Sequence, residues 1–145
     1  MRIVNLITLA IFTVFLGCGS SEPAPVSTKG IVKTKGGRPC DNALVVFHPL
    51  DQGRLNDPKP VATTNAEGQF VLTTFAPNDG ALPGQYAVTV VWPGKDPKAS
   101  KISVSGEGGS VGADQLKGKF GNPSKPLLKA TVPKEGAPAL DFEVD

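Results

Sequence analysis

The chain has 145 residues, with 15 Lys+Arg against 13 Asp+Glu and a formal net charge of +2. A charge that small argues against nucleic acid as a partner, since such domains carry strong basic patches, and the length bounds the chain to about one domain. Seventeen glycines and fourteen prolines disfavour helices, whose interiors tolerate neither, so the chain reads as all-β with many turns.

In chain order, the first element is not part of a fold. Arg2 is the only charge before Cys18, and residues 3 to 16 are apolar except for Asn5, Thr8 and Thr13. A basic start, a short apolar middle and a small residue, Gly17, have the layout of a secretory signal peptide. A membrane-spanning helix needs about 20 apolar residues, so this run is too short to be one. Its end, Gly17-Cys18, resembles the lipobox of bacterial lipoproteins, although Phe15 and Leu16 depart from that motif's usual leucine and small residue. The resemblance implies that residues 1–17 are removed, that Cys18 becomes the amino terminus and that Cys18 is the lipid attachment site. Two or three acyl chains, at about 0.8 kcal/mol per buried methylene, anchor stably where one does not. The implied localisation is export to the cell envelope, membrane-anchored on a periplasmic or outer-membrane face. Residues 18–26, "CGSSEPAPV", read as a flexible tether, and 27–145 as one domain.

Within that domain seven segments alternate apolar and polar residues. Gly30–Thr34 is the first, followed by a Lys35–Pro39 turn. Ala43–His48 is the second, with Ala43, Val45 and Phe47 on the core face. Val61–Thr64 is short and ends at the Asn65–Gly68 turn, where Gly68 suits a positive φ. Gln69–Thr74 points Phe70 and Leu72 inward. Gln85–Trp92 places Tyr86, Val88, Val90 and Trp92 on one face and Ala87, Thr89 and Val91 on the other. Leu127–Val132 and Leu140–Val144 complete the set. The expectation is an all-β, seven-strand sandwich. From Pro93 to Ala113, five glycines, four serines and three lysines accompany only three β-branched residues, which predicts a long mobile loop. Its competing reading is an edge strand at Ile102 and Val104. The following "DQLKGKF" (residues 114–120) is a helical turn or a short extended piece, which the sequence leaves open.

"GIVKTKGGRPCDNALVVFHP", "TTNAEGQFVLTT" and "PGQYAVTVVW" together resemble the carboxypeptidase regulatory-like family, a transthyretin-like, Ig-like β-sandwich. The matching positions are Gly30, Val32, Gly37, Pro39, Cys40, Ala43, Val45, Phe47, Thr64, Gly68, Phe70, Gly84, Tyr86 and Val88. "DQLKGKFGNPSKPLLKATV" is similar to the ending of small bacterial lipoproteins in this group, with Phe120 in place of a tyrosine. These are turn and core positions, so the resemblance implies a fold more than an activity.

Candidate chemistry is sparse. Cys40 fills the family's apolar slot after proline and reads as a small buried hydrophobe. If Cys18 is acylated, Cys40 has no intramolecular disulfide partner. His48, the single histidine, reads as a surface residue, since metal binding would require ligands such as Asp51 and Asp57 to converge on it. Asn78 and Asp79 before Gly80 read as a turn rather than a calcium loop, which needs about six oxygen ligands. A purine-pathway hydrolase of the transthyretin-like group uses several histidines and a Tyr-Arg-Gly-Ser ending that this sequence lacks. Any serine–histidine–acid scheme would have to use His48. No metal and no other cofactor is expected.

The expectation is therefore a non-catalytic, lipid-anchored envelope module that binds, or is accessory to, an envelope protein or glycan. The alternative is a purely structural surface spacer, which could carry an isopeptide bond from Lys29 or Lys33 to Asp141. Lys29 and Lys33 alternate with Gly30 and Val32, which points them to solvent, whereas such a bond requires a buried lysine.

Overall fold

The computed structural model describes residues 23–94, 112–136 and 138–145. The expected signal peptide, Cys18 and the centre of the glycine-rich loop lie outside these residues. Seven strands form two packed sheets. They are β1 (Lys29–Thr34), β2 (Leu44–Pro49), β3 (Val61–Thr63), β4 (Gln69–Val71), β5 (Gly84–Val91), β6 (Leu128–Val132) and β7 (Ala139–Val144). One sheet has the order β4-β1-β7 and the other β3-β2-β5-β6. Every pairing is antiparallel except that of the first and last strands, which run parallel in register from Lys29↔Ala139 to Thr34↔Val144.

The core lies between the sheets, and alternation decides its members. Ala43, Val45 and Phe47 are buried from one sheet, and Val32, Phe70, Phe142 and Val144 from the other. Phe47 is its centre. Its ring lies 5.5 Å from Tyr86, 6.1 Å from Phe142 and 6.5 Å from Phe70, while Phe70 and Phe142 stack at 6.1 Å. Phe70 packs across Gly30, where a Cβ would come within 2.6 Å of its ring, so only glycine leaves room for it. Gly68 has φ +74°, as its turn position requires. Thr64 is buried at the end of β3; its hydroxyl accepts from Ala43 N–H at 2.7 Å and donates to the Cys40 carbonyl.

Three departures from the periodicity have physical causes. β4 ends at Val71 because Thr73 changes sheet, exchanging two 2.9 Å backbone bonds with Val61 of the facing sheet. Ala87 and Thr89, on the face of β5 opposite the core, are buried as well. The Pro123–Pro126 segment and the start of the β2–β3 connection wall a groove over that side. Val26, at the end of the expected tether, already belongs to the packed body. It exchanges two backbone hydrogen bonds with Ala81 and packs against the core.

Candidate functional site

β1 begins, β2 ends, β4 ends, β5 begins, β6 ends and β7 begins at the same end of the sandwich, where Pro23–Val26 enters. The opposite end carries the β1–β2 turn, the β3–β4 turn and the chain that follows β5. One of the clefts of the described residues lies at that far end. It has a volume of about 640 Å³ and is lined by Arg38, Pro39, Asp41, Ala66, Trp92, Gly94 and Gln115.

Its construction begins with the β1–β2 turn. Gly37 takes φ +81°, Thr34 N–H donates to the Arg38 carbonyl at 2.8 Å, and Arg38 N–H donates back to the Thr34 hydroxyl at 3.1 Å. This holds the Arg38 guanidinium 4.3 Å from the centre of the Trp92 indole, a cation–π contact, with one Nη donating to Gln115 Oε1 at 3.0 Å. The indole N–H donates to the Asp41 carbonyl at 3.0 Å. Gln115 in turn donates from its side chain to the Pro93 carbonyl at 3.2 Å and from its backbone to the Trp92 carbonyl at 2.7 Å.

Asp114 holds the other wall. One carboxylate oxygen accepts from Trp92 N–H at 2.9 Å and Leu116 N–H at 3.0 Å, and the other accepts from Gly118 N–H at 2.8 Å. The "DQLKGKF" stretch is thus a succession of turns that buries Leu116 and Phe120, resolving the choice the sequence left open. Gly94 N–H bonds the Ala113 carbonyl at 2.9 Å, so both ends of the glycine-rich loop are fastened together. Its residues 95–111, including Ile102 and Val104, lie outside the described residues.

The residues singled out from sequence are scattered over the molecule. Cys40 is fully buried; burial pushes its thiol above the ordinary value, against a smaller opposing effect of Arg38. His48 is half-buried rather than a plain surface residue. Its Nε2 lies 3.0 Å from Thr89 Oγ1, in the groove shared with Lys59 and Lys129. Burial, and then the charge of Lys59, lower its pKa from 6.5. Asp51 and Asp57 do not converge on His48. They flank Arg54, at 3.9 and 2.8 Å.

Asp79 closes a turn by accepting from Thr74, Phe75 and Ala76 N–H at 2.7–2.9 Å. Burial opposes its ionisation, but these amides together hold its carboxyl below the usual range. Lys29 and Asp141 are exposed, and Lys33 faces Glu143 at 3.5 Å across the parallel strands. Among the described residues no group of three or more His, Cys, Asp or Glu side chains could hold a metal.

Sequence reasoning missed Arg54, which lies between the second and third strands and belongs to no motif. Its guanidinium donates to Asp57 at 2.8 Å, to the Pro83 carbonyl at 2.5 Å and to the Tyr86 hydroxyl at 2.9 Å. Tyr86 donates onward to the Leu82 carbonyl at 2.6 Å. This network clamps the β2–β3 connection to the start of β5. The available signal was Tyr86 itself, because a buried phenol needs a hydrogen-bond partner.

Comparison with protein-family models, with curated proteins and with solved structures returned no match to this chain.

Proposed function

We propose that this chain is a lipid-anchored, non-catalytic cell-envelope module that holds a binding cleft away from the membrane. The observation that carries the reading is geometric. The entering segment Pro23–Val26 and the Arg38–Trp92–Gln115 cleft lie at opposite ends of one sandwich. A chain tethered through Cys18 would therefore present that cleft outward. The support for the anchor is Gly17-Cys18 after a short apolar run, followed at once by a polar tether. The support for the domain type is the resemblance to the carboxypeptidase regulatory-like family, which rests on turn glycines and core positions.

The ligand class favoured by the cleft is a glycan. Arg38 is exposed and keeps guanidinium donors beyond the one given to Gln115, and Gln115, Asp41 and the Gly94 backbone add polar groups around it. The indole is buried beneath Arg38, so the exposed guanidinium and the polar rim, rather than an aromatic face, would meet a ligand, which suits a hydroxyl-rich polymer better than an apolar peptide.

Two experiments test this reading. Labelling with a fatty-acid probe should mark the wild type and not Cys18→Ser; equal labelling of both, or soluble release of the wild type, sinks the anchor. Pull-down on insoluble envelope glycan should retain the wild type and lose Arg38→Ala. Capture instead of a single stoichiometric protein from detergent-solubilised envelope would replace the glycan by an accessory role.

The spacer reading keeps one supporting observation. The first and last strands are parallel neighbours, with Lys29 and Lys33 each two positions from Ile31, the residue opposite Asp141. An intact mass short by one water would establish it.

A further inference from the structure

We propose that the end of the sandwich from which the tether leaves is itself a lipid-docking surface, so that the domain sits with its loops on the bilayer. The inference rests on the anchor at Cys18 proposed above and adds what the domain does once anchored.

The first observation is reach. Cys18 and Pro23 are separated by five Cα–Cα steps, which span at most about 18 Å when fully extended. Pro23, Ala24 and Pro25 already line a surface with Arg54, Pro83 and Lys134, and Val26 is fixed to Ala81. Pro23 therefore stays within about 18 Å of an anchored Cys18, close enough for the loops around it to reach the bilayer.

The second observation is where apolar side chains are exposed. Among the described residues five large hydrophobics are exposed, and four of them lie at this end. Leu50 and Leu55 (49 % exposed) belong to the β2–β3 connection, Val71 ends β4, and Phe75 (61 % exposed) belongs to the β4–β5 connection. The Thr73–Val61 pairing brings the Phe75 loop beside Lys59 and Pro60 at the start of β3. Phe75 is displayed by a built turn. Its own N–H and those of both neighbours are held by Asp79, and Gly80 takes φ +97° where a Cβ would strike the Val26 carbonyl. An aromatic ring held outward on a fastened turn, at the same end of the sandwich as two exposed leucines, is the arrangement of an interfacial anchor.

The third observation is charge. The acids in these loops are mostly engaged: Asp51 and Asp57 with Arg54, and Asp79 with backbone amides. Lys29, Lys59 and Lys134 have no ion-pair partner among the described residues, against two acids at the same end without one, Glu135 and Asp141. Unpaired lysines around exposed apolar side chains match an anionic lipid surface.

The test uses the full lipidated chain, purified and reconstituted into vesicles of phosphatidylcholine and phosphatidylglycerol with or without bromine-labelled acyl chains. Phe75→Trp and Leu127→Trp are compared with the parent, whose Trp92 at the far end is the reference. Leu127, 58 % exposed just before β6, is as open to water as Phe75 but lies outside the docking loops. A side chain sunk 5–10 Å into the interface meets the acyl chains, so the Phe75→Trp variant should lose about half of its added emission in brominated vesicles. The parent and Leu127→Trp should be unchanged. Lipid present on Cys18 by intact mass with no quenching of Phe75→Trp overturns the docking and leaves the anchor standing. Equal quenching of Phe75→Trp and Leu127→Trp overturns the stated orientation. No lipid on Cys18 overturns the anchor and the docking together.

Discussion

Replacing Phe70 by alanine tests the centre of the fold. The ring is 3 % exposed, stacks on Phe142 at 6.1 Å and meets Phe47 edge-on at 6.5 Å. Burying a phenylalanine contributes about 1.5–3 kcal/mol, and each aromatic pair adds about 0.5–1.5 kcal/mol. The expected loss is therefore about 3–5 kcal/mol, the range found when buried aromatics are truncated. Relaxation into the void is limited, because β1 and β4 are tied together through Gly30↔Phe70 and cannot approach further. With a urea m-value of about 2 kcal/mol/M, the unfolding midpoint should fall by about 2 M at unchanged slope. Gly30→Ala offers a check from the other partner, since its methyl would meet both the ring and the Leu140 carbonyl. Overpacking of that kind costs about 1–3 kcal/mol. Combining it with Phe70→Ala should recover the ring's share of the clash but not the carbonyl's. A loss below about 1 kcal/mol for Phe70→Ala would refute the placement of this face in the core.

Asp114→Ala removes one carboxylate from three backbone N–H groups and should destabilise the domain by about 2–4 kcal/mol, read by denaturant titration; this is below the sum of three charge-assisted bonds at about 1.5–3 kcal/mol each, because Asp114 is half-buried and water can reach the freed N–H groups. Early proteolysis between Trp92 and Phe120 should accompany it, and an unchanged midpoint would contradict the pinning. His48 has a folded pKa below its unfolded value of 6.5, so protonation favours the unfolded chain. Stability is full above pH 6.5 and falls as the pH drops through that value toward the lower folded pKa; His48→Gln should flatten this limb in a thermal-melt series. Asp145, held by Lys35 and Lys119 at 2.7 Å each, has a carboxyl lowered to about 2. Its NMR titration should centre there, move up in Lys119→Ala, and approach the ordinary value in high salt.

How much of the molecule was legible beforehand follows from the range of the forces involved. Alternation is a local property of the chain. The seven strands, the inward faces of Phe47, Phe70 and Tyr86, and the positive φ of Gly68 could therefore be read from neighbouring residues alone. The same local signal fails where a partner arrives from far along the chain. Thr73 looks like a continuation of its strand, yet it pairs with Val61 of the other sheet because the Asp79 turn draws the backbone away. Alternation sets Ala87 and Thr89 on the face away from the core without saying what covers it; both are buried, and the Pro123–Pro126 segment walls a groove at Ala87. His48 looks like an exposed strand end until Thr89, 41 positions away, meets its ring.

The candidate cleft divides in the same way. Trp92 and the Asp-x-Leu-x-Gly-x-aromatic stretch were visible in the sequence as patterns. That Asp114 is the clasp of both, and that Arg38 covers the indole, came only from the tertiary structure. Those contacts bridge residues 22 and 54 positions apart, and no local propensity encodes which of many exposed charges will meet. By itself the sequence determined an all-β chain, its core faces and its turn glycines, because backbone geometry and burial act residue by residue. Tertiary structure decided which polar side chains are partnered, which end of the sandwich carries the exposed leucines and Phe75, and where a cleft remains. Those depend on how the two sheets bring distant loops together, which is a property of the closed sandwich and not of any single segment.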